Sequence, residues 1–377
     1  MAYGTVNADV IQSSVTGVSL GAGNATSFKN RMINGGMQVA QRGTSFTSVS
    51  TSTFCVDRTY LTVYSAGIWT LTQDTDVPAG YGFANSFKAV CTSANASPNQ
   101  LRICQSIEGY NVSDSNYGTA TARPYTLSFW IKTNKTGTYS ASFETATSGR
   151  YYTTNFTVSA SATWEFKTIV IPGDTSGTLN TTNGVGLTLS IWVGAGSSLT
   201  GSGTQNAWTT NATYSNIAQG QTVQLSDTVS NYFNITGLQF EVGSSATGFD
   251  FRSYGTELAL CQRYLIKFTG NDAYGGYGGY GGGYTISTTR IAIFLNLPVA
   301  MRSVPTLTKS GANRLIYASG GGMSTVTDGS FGNSQMTLQN GYFTVDAASG
   351  TPFTGGTVAA FSANTDLTAS LSFTAEL

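Results

Sequence analysis

Apolar and polar residues alternate in short blocks through most of this chain, and that alternation permits little except half-buried β-strands. In "YTLSFWIKT", Tyr125, Leu127, Phe129 and Ile131 fall on one side and Thr126, Ser128, Trp130 and Lys132 on the other, the two-residue period of a strand with one dry face. "LTLSIWVGA" repeats the pattern, with Leu187, Leu189, Ile191 and Val193 inward and Thr188, Ser190 and Trp192 outward. "GIWTLTQD", "SFKAVCT", "LRICQSI", "WEFKTIVIPGD" and "NITGLQFEV" are further strands, closed by breakers such as Pro172-Gly173-Asp174. Many short strands separated by glycine-rich turns predict an all-β, antiparallel sandwich.

Charge and residue usage then remove whole classes of function. Charged residues form 10% of the chain, against roughly 25% in an average soluble protein. Twenty Tyr, 20 Phe and 5 Trp nevertheless argue for packed strands over disorder. The 18 basic and 18 acidic residues cancel and are scattered singly, so no cationic face is offered to nucleic acid. No apolar run reaches the ~18 residues of a membrane span, and "MAYGTVNADV" lacks the basic start and apolar core of a secretory signal. Histidine is absent, which removes Ser-His-Asp and Cys-His catalysis and most zinc sites. The four cysteines are expected as thiols, although Cys91 and Cys104 could face each other across a hairpin turning near Pro98.

The chain divides into three stretches. Residues 1–30 are polar and Gly/Ser-rich and read as a leader that orders only against a partner. Alternating strands fill the stretch from Arg31 to Val242. "TELALCQRYL" then predicts one short boundary helix, with Thr256 as cap, Glu257 at the positive end, and Leu258, Cys261 and Leu265 on one side. A second all-β unit follows, with Pro298 and Pro305 at edges or strand ends and Asn340-Gly341 as a hairpin turn.

Several runs occur in a consistent order: "NRMINGGMQVAQRGTSFT", "QSIEGYNVSDSNYGTATARPYTLSFWIKT", "TWEFKTIVIPGDTSGT", "ITGLQFEVGSSATGFDFRSYGTELALCQRY", "NLPVAMRSVPTLTKSG" and a terminal "FTAEL". From about Lys29 onward this set resembles a family of bacteriophage virion proteins, usually described as tail fibre or related structural proteins. The resemblance implies a carbohydrate-binding-module-like jelly roll over 31–250 and a smaller β-sandwich-like domain over 251–377. It also implies a homotrimer located in the virion, joined to other virion proteins through the leader. Carbohydrate-binding jelly rolls that open on an "NGGFE"-like strand often hold a structural calcium there; this chain has "NGGMQV", with Met37 and Gln38, and keeps only Glu241 in the closing strand. No cofactor is expected, and calcium stays open only through that residue.

Chemistry-bearing residues are few. Glycoside hydrolysis needs two carboxylates across one bond, whereas Glu108, Glu144, Glu165, Glu241, Glu257 and Glu376 lie singly on different strands or turns, and no enzyme is expected. Sugar binding needs aromatic platforms, and Trp130 and Trp192 sit on the outward side of their strands, able to face one groove if those strands share a sheet. The alternative is that both rings cover an edge or an interface. Trp69 and Trp164 alternate in phase with core positions, Trp164 with Phe166 and Val170, while Trp208 is open. In "NDAYGGYGGYGGGYTI", Tyr274, Tyr277, Tyr280 and Tyr284 stand in glycine that can form neither an ordinary helix nor a good sandwich strand. The segment reads as an elaborated loop over 271–284 whose rings touch a glycan or a neighbouring subunit. The expected function is attachment to bacterial surface polysaccharide; the alternatives are a purely structural virion part and, third, a polysaccharide depolymerase.

Overall fold

The computed structural model describes residues 28–377 apart from 148, 202, 211–215, 271–278, 320–321, 349–352, 354 and 365. Two antiparallel sheets face each other. The front sheet has six strands in the order Ser45–Val49, Ile68–Asp74, Ser86–Ser93, Tyr232–Val242, Tyr125–Thr133 and Glu165–Ile171. The back sheet has seven, in the order Trp208–Thr210, Arg150–Val158, Gly137–Thr145, Val185–Ala195, Gln100–Glu108, Tyr60–Tyr64 and Thr53–Phe54.

The alternation read from the sequence fills the space between them. Tyr125, Leu127, Phe129 and Ile131 of the front sheet and Leu187, Leu189, Ile191 and Val193 of the back sheet all join one core. Rings set its thickness, with Phe240 lying between Tyr125, stacked at 4.4 Å, and Phe143 at 5.6 Å. Trp69 is buried, as its phase predicts, and donates its indole hydrogen to Ala66 O. Trp164 is not in phase with the core: Phe166 and Val170 point out, and Ile169 and Ile171 point in. This edge strand carries apolar residues on both faces, so a one-residue error of phase leaves no contradiction in the sequence itself.

All four cysteines are free thiols and buried. Cys91 lies on the front sheet and Cys104 on the back sheet, so the two strands never form the hairpin that could have joined them. Burial pushes the Cys55 thiol up to about 12.

Beyond the sandwich, the helix spans Tyr254–Gln262, starting before Thr256 and ending short of Leu265, because Leu265 opens the next strand. Its cap is Ser253, whose side chain accepts from Thr256 N, and Glu257 occupies the first turn. Leu265–Thr269, Ser370–Thr374 and Thr306–Ser310 form a three-stranded sheet, and six further strands close a barrel. One of those six is Gly279–Thr285, the second half of the tyrosine and glycine run. Glycine serves there because the strands approach closely: a Cβ on Gly283 would stand 1.7 Å from Ala292 O, and one on Gly281 2.8 Å from the Ile293 side chain. Pro298 and Pro305 fall just outside strands, as expected, while the hairpin turn is Thr337 to Asn340, with Gly341 already in the return strand.

Buried ion pairs tie the sandwich to the C-terminal part of the chain. Glu108, on the back sheet and almost fully buried, accepts from Arg263 Nε at 2.9 Å and from the Tyr264 hydroxyl at 2.6 Å. That hydrogen bond raises the Arg263 pKa, and burial raises that of Tyr264. Arg58 lies over the Tyr264 ring at 3.6 Å, donates to Ser106 O at 2.6 Å and pairs with Glu376. Removing Glu108 leaves the buried Tyr264 hydroxyl without its acceptor, while the partly exposed Arg263 can turn to water. Glu108→Ala is therefore expected to lower unfolding free energy by about 1 to 3 kcal/mol, read as a lower urea midpoint. An unchanged midpoint would show that the junction contributes nothing.

Candidate binding site

An open cleft of about 380 Å³ lies against the outward face of the front sheet, and aromatic rings form most of its wall. Trp130 supplies the floor. It projects outward because Phe129 and Ile131 project inward, and it is directly paired with Phe166 of the neighbouring strand. Their ring centroids are 5.2 Å apart. Tyr81, from the loop between Asp74 and Ser86, packs against Trp130 in a tilted arrangement with ring centroids 4.3 Å apart. A second group of three, Phe83, Phe249 and Phe251, packs together at 4.8 to 5.3 Å.

A β-bulge in the Tyr232–Val242 strand makes room for both groups. Thr236 pairs with Trp130 but Gln239 pairs with Ser128, so Gly237 and Leu238 together oppose one residue. Gly237 takes φ +65°, and a Cβ there would stand 2.7 Å from Phe83 Cζ and 3.2 Å from Trp130 Cδ1. Glycine is required twice over, by the backbone angle and by the rings on either side.

The hydrogen bonds of the five tryptophans separate Trp130 from the rest. Trp69 donates to Ala66 O, Trp164 to Asp76, Trp192 to Ser142 Oγ and Trp208 to Pro172 O. Among the described residues no acceptor meets Trp130 Nε1, and none of their hydrogen bonds engages Ser128 Oγ or the Tyr81 hydroxyl. A half-buried indole N–H with no partner of its own is a donor held ready for a ligand or for water.

Of the charges beside the cleft, Asp76 and Lys132 neutralise each other, while Lys29 Nζ is held on Gly248 O. Asp76 pairs with Lys132 at 2.7 Å and accepts from Trp164 Nε1 at 3.0 Å. Burial alone would raise the Asp76 pKa, but these donors outweigh it and hold the carboxyl below the usual range. Glu241, behind the cleft, is nearly inaccessible, and its oxygens accept from Thr247 N at 2.9 Å, Thr247 Oγ1 at 2.8 Å and Gln239 Nε2 at 2.9 Å. Donors of the chain thus occupy the one acidic side chain to which the calcium expectation was tied. Among the described residues no three His, Cys, Asp or Glu side chains converge as a metal site.

Of the six residues singled out in the sequence, four are described, and among those Trp130 alone reaches this cleft. Trp192 lies on the other sheet, 1% exposed, covered by Leu199, Ile217 and Ala218, with Arg102 at 5.0 Å from its ring. Tyr280 is buried in the barrel against Phe361 at 5.2 Å, whereas Tyr284 is 45% exposed and stacks on Phe294 at 5.8 Å. Tyr274 and Tyr277 fall outside the described residues. Trp208 is half-buried against Tyr117 and Tyr152. Sequence reading missed Tyr81, Phe83, Phe166, Phe249 and Phe251. The signal that could have found four of them was the density of rings in "AGYGF" and "TGFDF", two glycine-flanked segments 168 residues apart, counted from Tyr81 to Phe249.

No protein-family model matches the chain, and no curated protein matches it. Among solved structures it is similar to the enzymatically active domain of tailspike protein 4 of bacteriophage CBA120, with 13% identity and a TM-score of 0.31, covering 57% of this chain and 21% of that one. It is similar also to a family 16 carbohydrate-binding module, with 13% identity and a TM-score of 0.23, over 45% of this chain and 84% of that one. A third is the CBM22-1–CBM22-2 tandem domain of Paenibacillus barcinonensis Xyn10C, with 9% identity and a TM-score of 0.30, over 94% and 99%. The chain thus spans about a fifth of the tailspike chain's length.

Gly237→Ala tests how the cleft is built. The added methyl is expected to cost about 1 to 3 kcal/mol of stability and to change the near-ultraviolet circular dichroism of the tryptophans as Phe83 and Trp130 move apart. A variant with wild-type stability and spectrum would place those rings elsewhere.

Proposed function

We propose that this chain is a non-enzymatic glycan-binding protein of a phage virion, which attaches to bacterial surface polysaccharide through the aromatic cleft on its front sheet. The observation that carries the proposal is Trp130: a ring face in an open aromatic cleft, with the one indole N–H among five that no described group accepts. The C–H face of a pyranose packs on such a ring, and the free N–H and the Ser128 and Tyr81 hydroxyls can meet sugar oxygens. No carboxylate lines the cleft among the described residues, which favours binding over hydrolysis, since a glycosidase needs a pair of them. The phage assignment rests on the ordered motifs from Lys29 to the C-terminus.

A trimer and a leader that joins other virion proteins complete the proposal. On the barrel, Tyr284, Phe294 and Val358 are all more than 40% exposed, and a patch of this kind suits contact between copies of the chain. The second reading, a purely structural virion component, draws on the same patch.

Trp130→Ala distinguishes the two. Retention of the protein on immobilised host envelope polysaccharide is expected to fall at least about tenfold, as for other buried aromatic anchors, while sedimentation of the oligomer is unchanged. Loss of the oligomer with undiminished polysaccharide retention by the residual protein would assign the ring to a subunit interface.

A further inference from the structure

We propose that the cleft selects neutral sugars bearing a methyl group, either 6-deoxyhexoses or N- or O-acetylated hexoses; this rests on the glycan reading of the cleft. The polar groups around it are scarce, and most are already engaged. Thr247 gives both its N–H and its hydroxyl to Glu241. Gly248 O receives Lys29 Nζ and, at 3.3 Å, Gln239 Nε2. Among the lining side chains, what remains is one indole donor on Trp130, one hydroxyl on Ser128 and the Tyr81 phenol at the rim, against the faces and edges of six rings.

A fully hydroxylated hexose pressed into this wall would bring more hydroxyls than these side chains can meet. Each one left over loses water and gains no partner. A methyl in place of a hydroxyl, or an acetyl methyl set among the rings, removes that penalty and adds apolar burial. Charge is selected against on the same grounds. No charged side chain lines the cleft, the Lys132 ammonium beside it is already paired with Asp76, and Lys29 Nζ at its margin is held on Gly248 O, so a uronate would have to draw Lys29 from that carbonyl to gain a counter-charge.

Full-length protein labelled with nitrogen-15 gives one indole cross-peak per tryptophan, and Trp130→Phe identifies the Trp130 peak by its loss. 6-Deoxyglucose, glucose, N-acetylglucosamine and glucuronate are titrated in turn as free sugars without a methyl aglycone, with choline as a cationic probe because an aromatic cage also accepts quaternary ammonium. 6-Deoxyglucose and N-acetylglucosamine are expected to shift the Trp130 peak with a Kd about tenfold or more below that of glucose, and Tyr81→Ala, a change at an exposed rim position, should weaken both. Equal or tighter binding of glucose or glucuronate overturns the methyl selectivity and leaves the glycan reading intact. A peak that responds to choline alone, or to none of these probes at concentrations up to about 0.1 M, where even weak monosaccharide contacts register, overturns both.

Discussion

Burial of every second residue between two antiparallel sheets is the constraint on which the rest of this molecule depends. With Leu127, Phe129 and Ile131 committed inward, Trp130 has to point out, and with Leu189, Ile191 and Val193 inward, so does Trp192. The period of a strand fixes a side chain's face and nothing more. What happens on that outer face is decided by segments far away in the chain. Leu199 and Ile217 close over Trp192 and Ser142 satisfies its N–H, while the segment bearing Phe249 and Phe251 stops beside Trp130 and leaves its N–H open. Two residues with the same local pattern therefore have opposite roles, one as mortar and one as surface.

The scarcity of charge shapes the remainder. A chain with so few ionisable groups cannot keep both outer faces wet with them, and the glutamates are held by partners within the chain. Glu108 holds Arg263 and Tyr264, Glu144 holds Arg102, Glu257 holds Arg252, and Glu376 holds Arg42 and Arg58. Pairs of this kind offset much of their attraction by the loss of hydration. The front cleft gains its character from the same scarcity: where charge is absent, rings and a few hydroxyls decide what can bind.

Much of this was legible in the sequence and some of it was not, for identifiable reasons. The core strands were readable because period two is a local property, as "YTLSFWIKT" shows. Glu257 at the helix start was readable because the helix terminus is local too. The phase of Phe166 and Val170 was not, since an edge strand with apolar residues on both faces, Phe166 and Val170 against Ile169 and Ile171, presents two plausible faces. Gly279–Thr285 defeated propensity, because glycine is disfavoured in strands on average yet required where a barrel closes so tightly that Gly283 nearly touches Ala292. The cleft itself was half visible. Trp130 could be named from one strand, but Tyr81, Phe83, Phe249 and Phe251 meet it only after the Gly237 bulge brings two loops together.

The central claim is that Trp130 presents an unpartnered indole donor to a ligand. Hydrogen exchange of the five indole N–H groups tests it most directly. In the free protein the Trp130 proton is expected to exchange with solvent far faster than those of Trp69 and Trp192, and to become protected when host envelope polysaccharide is added. A Trp130 proton already protected in the free protein, or one whose exchange the polysaccharide leaves unchanged, would contradict the account.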